Sequence, residues 1–437
     1  RCAGRALPSA RQARRASATG AADGEARLAA LERKVEALAA QTASLLEENA
    51  ALRSGPPPRS SSTFSVGQYN ILAGYLGQNT APWFLYGGDV SPERRAAIFD
   101  QFYARDEQGA LLNANWPNYV RGVLSPEEQA EVERIDAEHF EWTRRRPRVL
   151  ETVGRLDCDL LSLVELDDYE EFFEPRLAAM GYAGRWHKRP RPSSLDGCGV
   201  FWRQSMFELI ASDSVDFVDS VDEDSGTEHK DRAAVWALLR FRGGERQDIL
   251  FVSTHLARNP EDPAQDRLRT RQVAQLLYHL DRFAADHDAM SAPVILTGDL
   301  NATKFTHMRV FLAAISALSR SGQGLHSGTM LHPCVWGLRD VPSRATSVTE
   351  SRHLRIDALF FQQNEVRLLD VSMLPELSSP IPDETHPSDH LPIKATLRMR
   401  GAMERMEAAA RAWTVAVLEG TLDDVPLTRD QLRLGFT

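Results

Sequence analysis

The chain has 437 residues, 43% hydrophobic and 26% charged, with a formal net charge of −10. That length and apolar content suit one large α/β domain with appended segments, and the acidic balance argues against coating nucleic acid by bulk electrostatics, leaving only a local basic groove. No apolar run approaches the roughly 18 residues of a membrane span, and Cys2, Cys158, Cys198 and Cys334 form no C-x-x-C pair, indicating neither a zinc ribbon nor a disulfide framework and suiting a reducing, intracellular compartment.

In chain order, residues 1–24 carry five arginines before the first acid, Asp23. They read as a disordered basic N-terminus or as part of a transit peptide, so mitochondrion and plastid stand beside cytoplasm. Residues 25–53 place Leu31, Leu38, Leu45 and Leu52 at heptad d positions and Leu28, Val35, Thr42 and Asn49 at a, the pattern of a short parallel coiled coil and hence of a homodimer. A lone marginal helix is the alternative. Residues 54–63, with three consecutive prolines, form a Pro/Ser linker.

The globular domain is expected over 64–400, with strands at FSVGQYNIL, DLLSLVEL, GCGVFW, AAVWALLRF, DILFVSTHL, PVILTGDL, RIDALFF and LPIKATLRM. Helices are expected from Ser125 to Gly154 and from Asp262 to Asp288, a polar helical insertion over about 87–146, and an amphipathic C-terminal helix and tail over 401–437. Many strands follow one another without an intervening helix. That pattern predicts an α/β fold built as a mixed-sheet sandwich rather than an all-parallel doubly wound sheet.

Polar residues punctuate the ends of these apolar strands. TGDLNA puts Asp299 and Asn301 two apart at a strand's carboxyl end, where strand alternation would turn both to one side. Glu165 ends DLLSLVE, His255 ends DILFVSTH, and Asn70 lies within FSVGQYNIL. Asp357 inside RIDALFF would be costly unless tied to a cation or an imidazole. Asp389 and His390 sit side by side in HPSDHLPI. Each has an ordinary reading as a turn or a hydrogen-bonded strand residue. Together, their hard oxygen donors without cysteine favour magnesium, one or two ions, over zinc, and phosphate chemistry is its natural use.

The order YNILA, LVELDD, DGCGVFW, STHL, TGDLNA, RIDALFF and PSDH resembles the endonuclease/exonuclease/phosphatase superfamily, which includes DNase I. YNILA with GYAGRWHKRP and DGCGVFW resembles the branch of nocturnin, the Angel proteins and the carbon-catabolite-repressor deadenylases. The resemblance implies a four-layer fold and a Mg²⁺-dependent phosphoesterase. In it Glu165 would bind metal with Asn70 beside it, Asp299 would activate water and Asn301 would hold the nucleophile and phosphoryl oxygens. His255 and His390 would donate to phosphate, Asp357 would orient His390, and Asp389 would support a second metal.

Lys188, Arg189, Asp196 and Arg258 would meet substrate. The implied substrate is an RNA 3′ end of poly(A) type or another phosphorylated nucleotide, with a nocturnin-like NADP(H) 2′-phosphatase and a 2′,3′-cyclic phosphatase as alternatives. RATSVTESRHL lacks the aromatics that many relatives place before RIDALFF, and Ala257 stands where nocturnin-like chains have lysine. A catalytically inactive coiled-coil adaptor is the reading from another class.

Overall fold

In a computed structural model the described residues are 62–76, 90–242, 247–303, 338–349 and 352–405. The expected coiled coil, nearly all of the linker and the C-terminal amphipathic helix lie outside them. Among the described residues no helix is long and apolar enough to cross a membrane.

Two six-stranded mixed sheets form the centre. The first runs in the order β13 (Val366–Val371), β14 (Ile393–Met399), β1 (Thr63–Asn70), β2 (Leu160–Val164), β4 (Gly197–Arg203), β3 (Tyr182–Lys188). The second runs β5 (Phe207–Val221), β6 (Glu228–Phe241), β7 (Asp248–His255), β8 (Val294–Asp299), β12 (Asp357–Gln362), β9 (Leu338–Asp340). A short hairpin, β10 (Ser347–Thr349) and β11 (Arg352–Leu354), stands apart.

Period-two side-chain alternation explains how one apolar strand serves two layers. From β1, Phe64 and Val66 point into the space between the sheets and meet Val235, Phe251, Ile295 and Leu359 of the second sheet. Tyr69 packs on the outer face with Val149 and Val153 of a helix. That helix, Trp142–Leu156, buries Arg145, Val149 and Val153 at four-residue spacing, and Glu141 caps its start by accepting from the Thr143 and Arg144 amides. On the other side Pro263–Asp286, capped by Asp262, lays Val273, Leu276, Leu280 and Phe283 on the second sheet. Each such buried side chain contributes about 1.5–3 kcal/mol. The result is helix, sheet, sheet, helix, as the resemblance implied.

Three expectations need correction. The helix expected over 125–154 is two helices, Pro126–Ile135 and Trp142–Leu156, joined by a π-helical turn at Asp136–Phe140. Buried Phe140 anchors the turn and the new cap at Glu141 restarts the helix. The insertion accordingly ends near Phe140, because Trp142 onward belongs to the helix on the first sheet, while Ile98, Phe102, Tyr119, Val120 and Val132 form a small core of its own. Strands β3, β5 and β13 were not expected; their outward residues are polar and partly exposed, so they lack the continuous apolar run of the central strands.

Candidate active site

Strand register assembles the site. In the second sheet His255 pairs with Asp299 across the parallel β7–β8 ladder, and Asp299 pairs with Asp357 across the antiparallel β8–β12 ladder. Three polar side chains thus stand in a row on three adjacent strands. At Gly298 a Cβ would fall 1.9 Å from the Thr254 carbonyl oxygen, so only glycine allows β7 and β8 this close beside His255 and Asp299. The first sheet brings Asn70 and Glu165 together, since β1 and β2 run parallel with Asn70 opposite Val164.

Both carboxylate oxygens of Asp299 are hydrogen-bonded. Its Oδ1 accepts from the Asn301 amide at 2.9 Å, and its Oδ2 accepts from Asn70 Nδ2 at 3.0 Å and faces His255 Nε2 at 3.6 Å and His390 Nε2 at 3.8 Å. Burial and the neighbouring Asp357 charge raise its pKa. Asn301 reaches this centre by a route other than strand alternation: it lies beyond the strand with φ +47°. The left-handed turn brings its side-chain amide to 3.1 Å from His255 Nε2. Asn70 is committed to Asp299 and to the Leu72 amide, so it orients the Asp299 carboxylate instead of turning to Glu165.

Asp357 holds His390, with Nδ1 at 2.7 Å from Oδ2, and Gln68 donates to its other oxygen at 3.0 Å. Burial alone would lower the imidazole, but Asp357, Asp389 and Asp299 lift it to about 10, so His390 is an imidazolium at neutral pH. His255 is the reverse case. Burial and the charges of Arg232 and Arg189 hold it well below the ordinary imidazole value, and it is neutral.

Glu165 sits at φ +57° just past β2. Its Oε2 accepts from the Ala73 amide at 3.2 Å, and the neutral His255 ring approaches Oε1 with Nδ1 at 4.0 Å. Burial and the charges of Asp196 and Asp389 push its pKa to about 7. Asp389 pairs with Arg352 at 3.1 Å through Oδ2, while its buried Oδ1 has no hydrogen-bond partner. A cluster of buried carboxylates with one unsatisfied oxygen fits a hard divalent cation. Asp299, Asp357 and His390 also lie close enough together to suggest a metal, but the short Asp357–His390 bond already occupies that pair.

Arg189 and Asp196 lie beside this cluster, Arg189 held by Asp231 at 2.6 and 2.7 Å and Asp196 accepting from the Tyr75 hydroxyl. Lys188 and Arg258 are not brought in. Both are exposed, and among the described residues Lys188 Nζ reaches only the Arg189 carbonyl. Two arginines that sequence reasoning passed over belong here: Arg232 on β6, against the His255 ring, and fully buried Arg145. The available signal was a charged residue inside an otherwise apolar, buried pattern.

The sequence profile of the Endonuclease/Exonuclease/phosphatase family matches residues 136–390. Carbon catabolite repressor protein 4 homolog 4 of Arabidopsis thaliana is 24% identical over 304 residues, covering 60% of this chain and 72% of that protein. The CCR4-Not complex 3′-5′-exoribonuclease subunit Ccr4 of Saccharomyces cerevisiae is 26% identical over 300 residues, 58% of this chain and 35% of that one. The chain therefore spans about a third of the yeast relative's length. A solved structure of ANGEL2, described as a 2′,3′-cyclic phosphatase, shares the fold with a TM-score of 0.53 at 20% identity, covering 79% of this chain and 99% of that chain.

Proposed function

We propose, since this chain belongs to the endonuclease/exonuclease/phosphatase family, that it is a Mg²⁺-dependent phosphoesterase that hydrolyses RNA from the 3′ end, as a poly(A)-type exoribonuclease. The carrying observation is the row of His255, Asp299 and Asp357 set by strand register, facing Glu165 at the end of the other sheet. The exoribonuclease relatives support RNA as the substrate.

Glu165 and the unsatisfied oxygen of Asp389 would hold the magnesium, which supplies Lewis-acid polarisation of the phosphoryl oxygen. Asp299 accepts the proton of the attacking water; its raised pKa and the Asn70 and Asn301 donors poise it for that task. His390, kept cationic by Asp357, donates to the phosphate as negative charge builds. Neutral His255 and the Asn301 amide complete the polar wall around the reacting oxygens.

A hydrolysis panel with Mg²⁺ tests this: oligo(A), mixed-sequence RNA, NADP(H) and RNA ending in a 2′,3′-cyclic phosphate, with Asp299→Ala as the blank. The expected result is AMP released stepwise from oligo(A), reduced in the blank by about 10²-fold or more. Turnover of NADP(H) or the cyclic end alone would reassign the substrate. No turnover of any of them would refute the enzyme reading and favour the inactive adaptor.

A further inference from the structure

We propose that the exposed face of the helix Pro263–Asp286 is a binding track for single-stranded RNA, holding nucleotides upstream of the 3′ end that sits in the cleft. This rests on the exoribonuclease reading above and deepens it, from the bond that is cleaved to the surface that grips the rest of the strand.

An α-helix turns 100° per residue, so Arg267, Arg271, Ala274, Tyr278 and Arg282 fall in one strip about 80° wide and about 22 Å long from Arg267 to Arg282. All five are exposed, and the one exposed acid of this helix is Asp286, its last residue. The chain as a whole has 61 acids against 51 lysines and arginines. The strip therefore runs against the bulk charge.

Its arginines are also unspent. Elsewhere Arg94 meets Glu128, Arg134 meets Glu131 and Glu138, and Arg240 meets Asp248. Among the described residues none of Arg267, Arg271 and Arg282 pairs with a carboxylate. Arg271 donates to the Asp219 carbonyl at 3.1 Å, which leaves its charge uncompensated, while the Asp219 carboxylate accepts from Gln272 at 2.7 Å. Arg282 lies 5.9 Å from the ring centroid of Tyr278, itself 58% exposed. Acids inside the helix do not offset the strip: Asp266 is buried against Arg269.

The strip starts at the cleft. The helix follows β7, whose last residue is His255, and precedes β8, whose last residue is Asp299; because β7 and β8 are parallel, the helix begins at the site end of the sheet and runs away from it. Buried Arg269 fixes the joining loop, donating to the carbonyls of Ala257, Arg258, Asn259 and Pro260 at 3.0 to 3.2 Å. Arg258, exposed on that loop, adds a positive charge between His255 and the helix in the chain. Spaced cations with a flat ring among them match a linear polyanion whose bases stack on aromatic faces. A mononucleotide is too short to reach from the cleft to Arg282.

The test is fluorescence anisotropy on the full chain carrying Asp299→Asn, with Mg²⁺, using 5′-labelled oligo(A) of 3 and of 15 nucleotides. Binding is read without turnover, so failure of the hydrolysis panel leaves the result readable. The longer probe should bind at least tenfold tighter. Replacing Arg267, Arg271 and Arg282 together by Gln should erase that gain, make the salt dependence of the long probe shallower by about 2 in the log–log slope, and change the 3-mer by less than twofold, which also shows that the variant is folded. Replacing all three by Lys should keep most of the gain. A control that removes three exposed arginines elsewhere, Arg105, Arg121 and Arg144, should cost the long probe less than threefold. Equal affinity for the two probes, or equal losses from the strip and control variants, would overturn the proposal. So would capture by phosphatidylserine vesicles that the Gln variant loses while its RNA binding is unchanged, which would assign the strip to a membrane surface.

Discussion

Glu165 joins backbone strain, burial and charge in one residue. Its φ of +57° is unusual for a side chain with a Cβ, and Leu72 and Asn301 nearby share that left-handed region. Its carboxyl titrates at about 7 in the fold against an ordinary 4.5. A raised acid pKa means that the folded state binds the proton more tightly. The stability it confers is present below pH 4.5 and is lost as pH rises to about 7, where an uncompensated carboxylate is left among Asp196, Asp389 and Asp299. Magnesium should relieve that, in competition with the proton. Thermal unfolding should therefore show a larger Mg²⁺-induced rise in Tm at pH 8 than at pH 5.5, and the difference should vanish in Glu165→Gln. An undiminished magnesium shift in that variant would remove Glu165 from the metal site. That Glu165 ends a buried strand was readable in the sequence; the neighbours that set its pKa come from three other segments and were not.

At the scale of an element, the helix Trp142–Leu156 joins parts of the site that are distant in sequence. Arg145, wholly buried, donates to Ile71 O at 2.8 Å, Leu72 O at 2.5 Å, Ala73 O at 3.3 Å, Phe140 O at 3.4 Å and Pro387 O at 3.0 Å. It stacks against Trp142 at 4.7 Å. One guanidinium thus ties the loop after Asn70, whose Ala73 amide holds Glu165, to the loop that leads into Asp389 and His390. Replacing it by methionine keeps much of the volume but leaves buried carbonyls unsatisfied. A loss on the order of 3 kcal/mol is expected in denaturant unfolding, together with weaker Mg²⁺ binding by calorimetry. Unchanged stability would show that water takes over those carbonyls. The helical pattern up to Gly154 was legible in the sequence, while the break before Trp142 and the role of Arg145 were not, because backbone carbonyls leave no mark in sequence.

For the whole molecule, a net charge of −10 coexists with a cleft containing Arg189, Arg232 and Arg352, so anionic substrate is met by local charge rather than by the bulk field. The heptads of residues 25–53 propose a tethered dimer. Light scattering should give twice the chain mass for the full chain and the monomer mass when 25–53 is deleted; a monomeric full chain would refute the zipper. The sequence by itself determined the sandwich class, the central strands and the polar residues that end them, because burial on both faces of a strand demands continuous apolar runs and makes each polar interruption conspicuous. Only the tertiary structure decided that Asn70 serves Asp299, that Asn301 arrives through a left-handed turn, that Lys188 and Arg258 stay in solvent, and that Arg145 and Arg232 belong to the site. Those facts depend on register and on contacts between segments up to hundreds of residues apart, and a one-dimensional pattern does not specify which partner a buried charge will find.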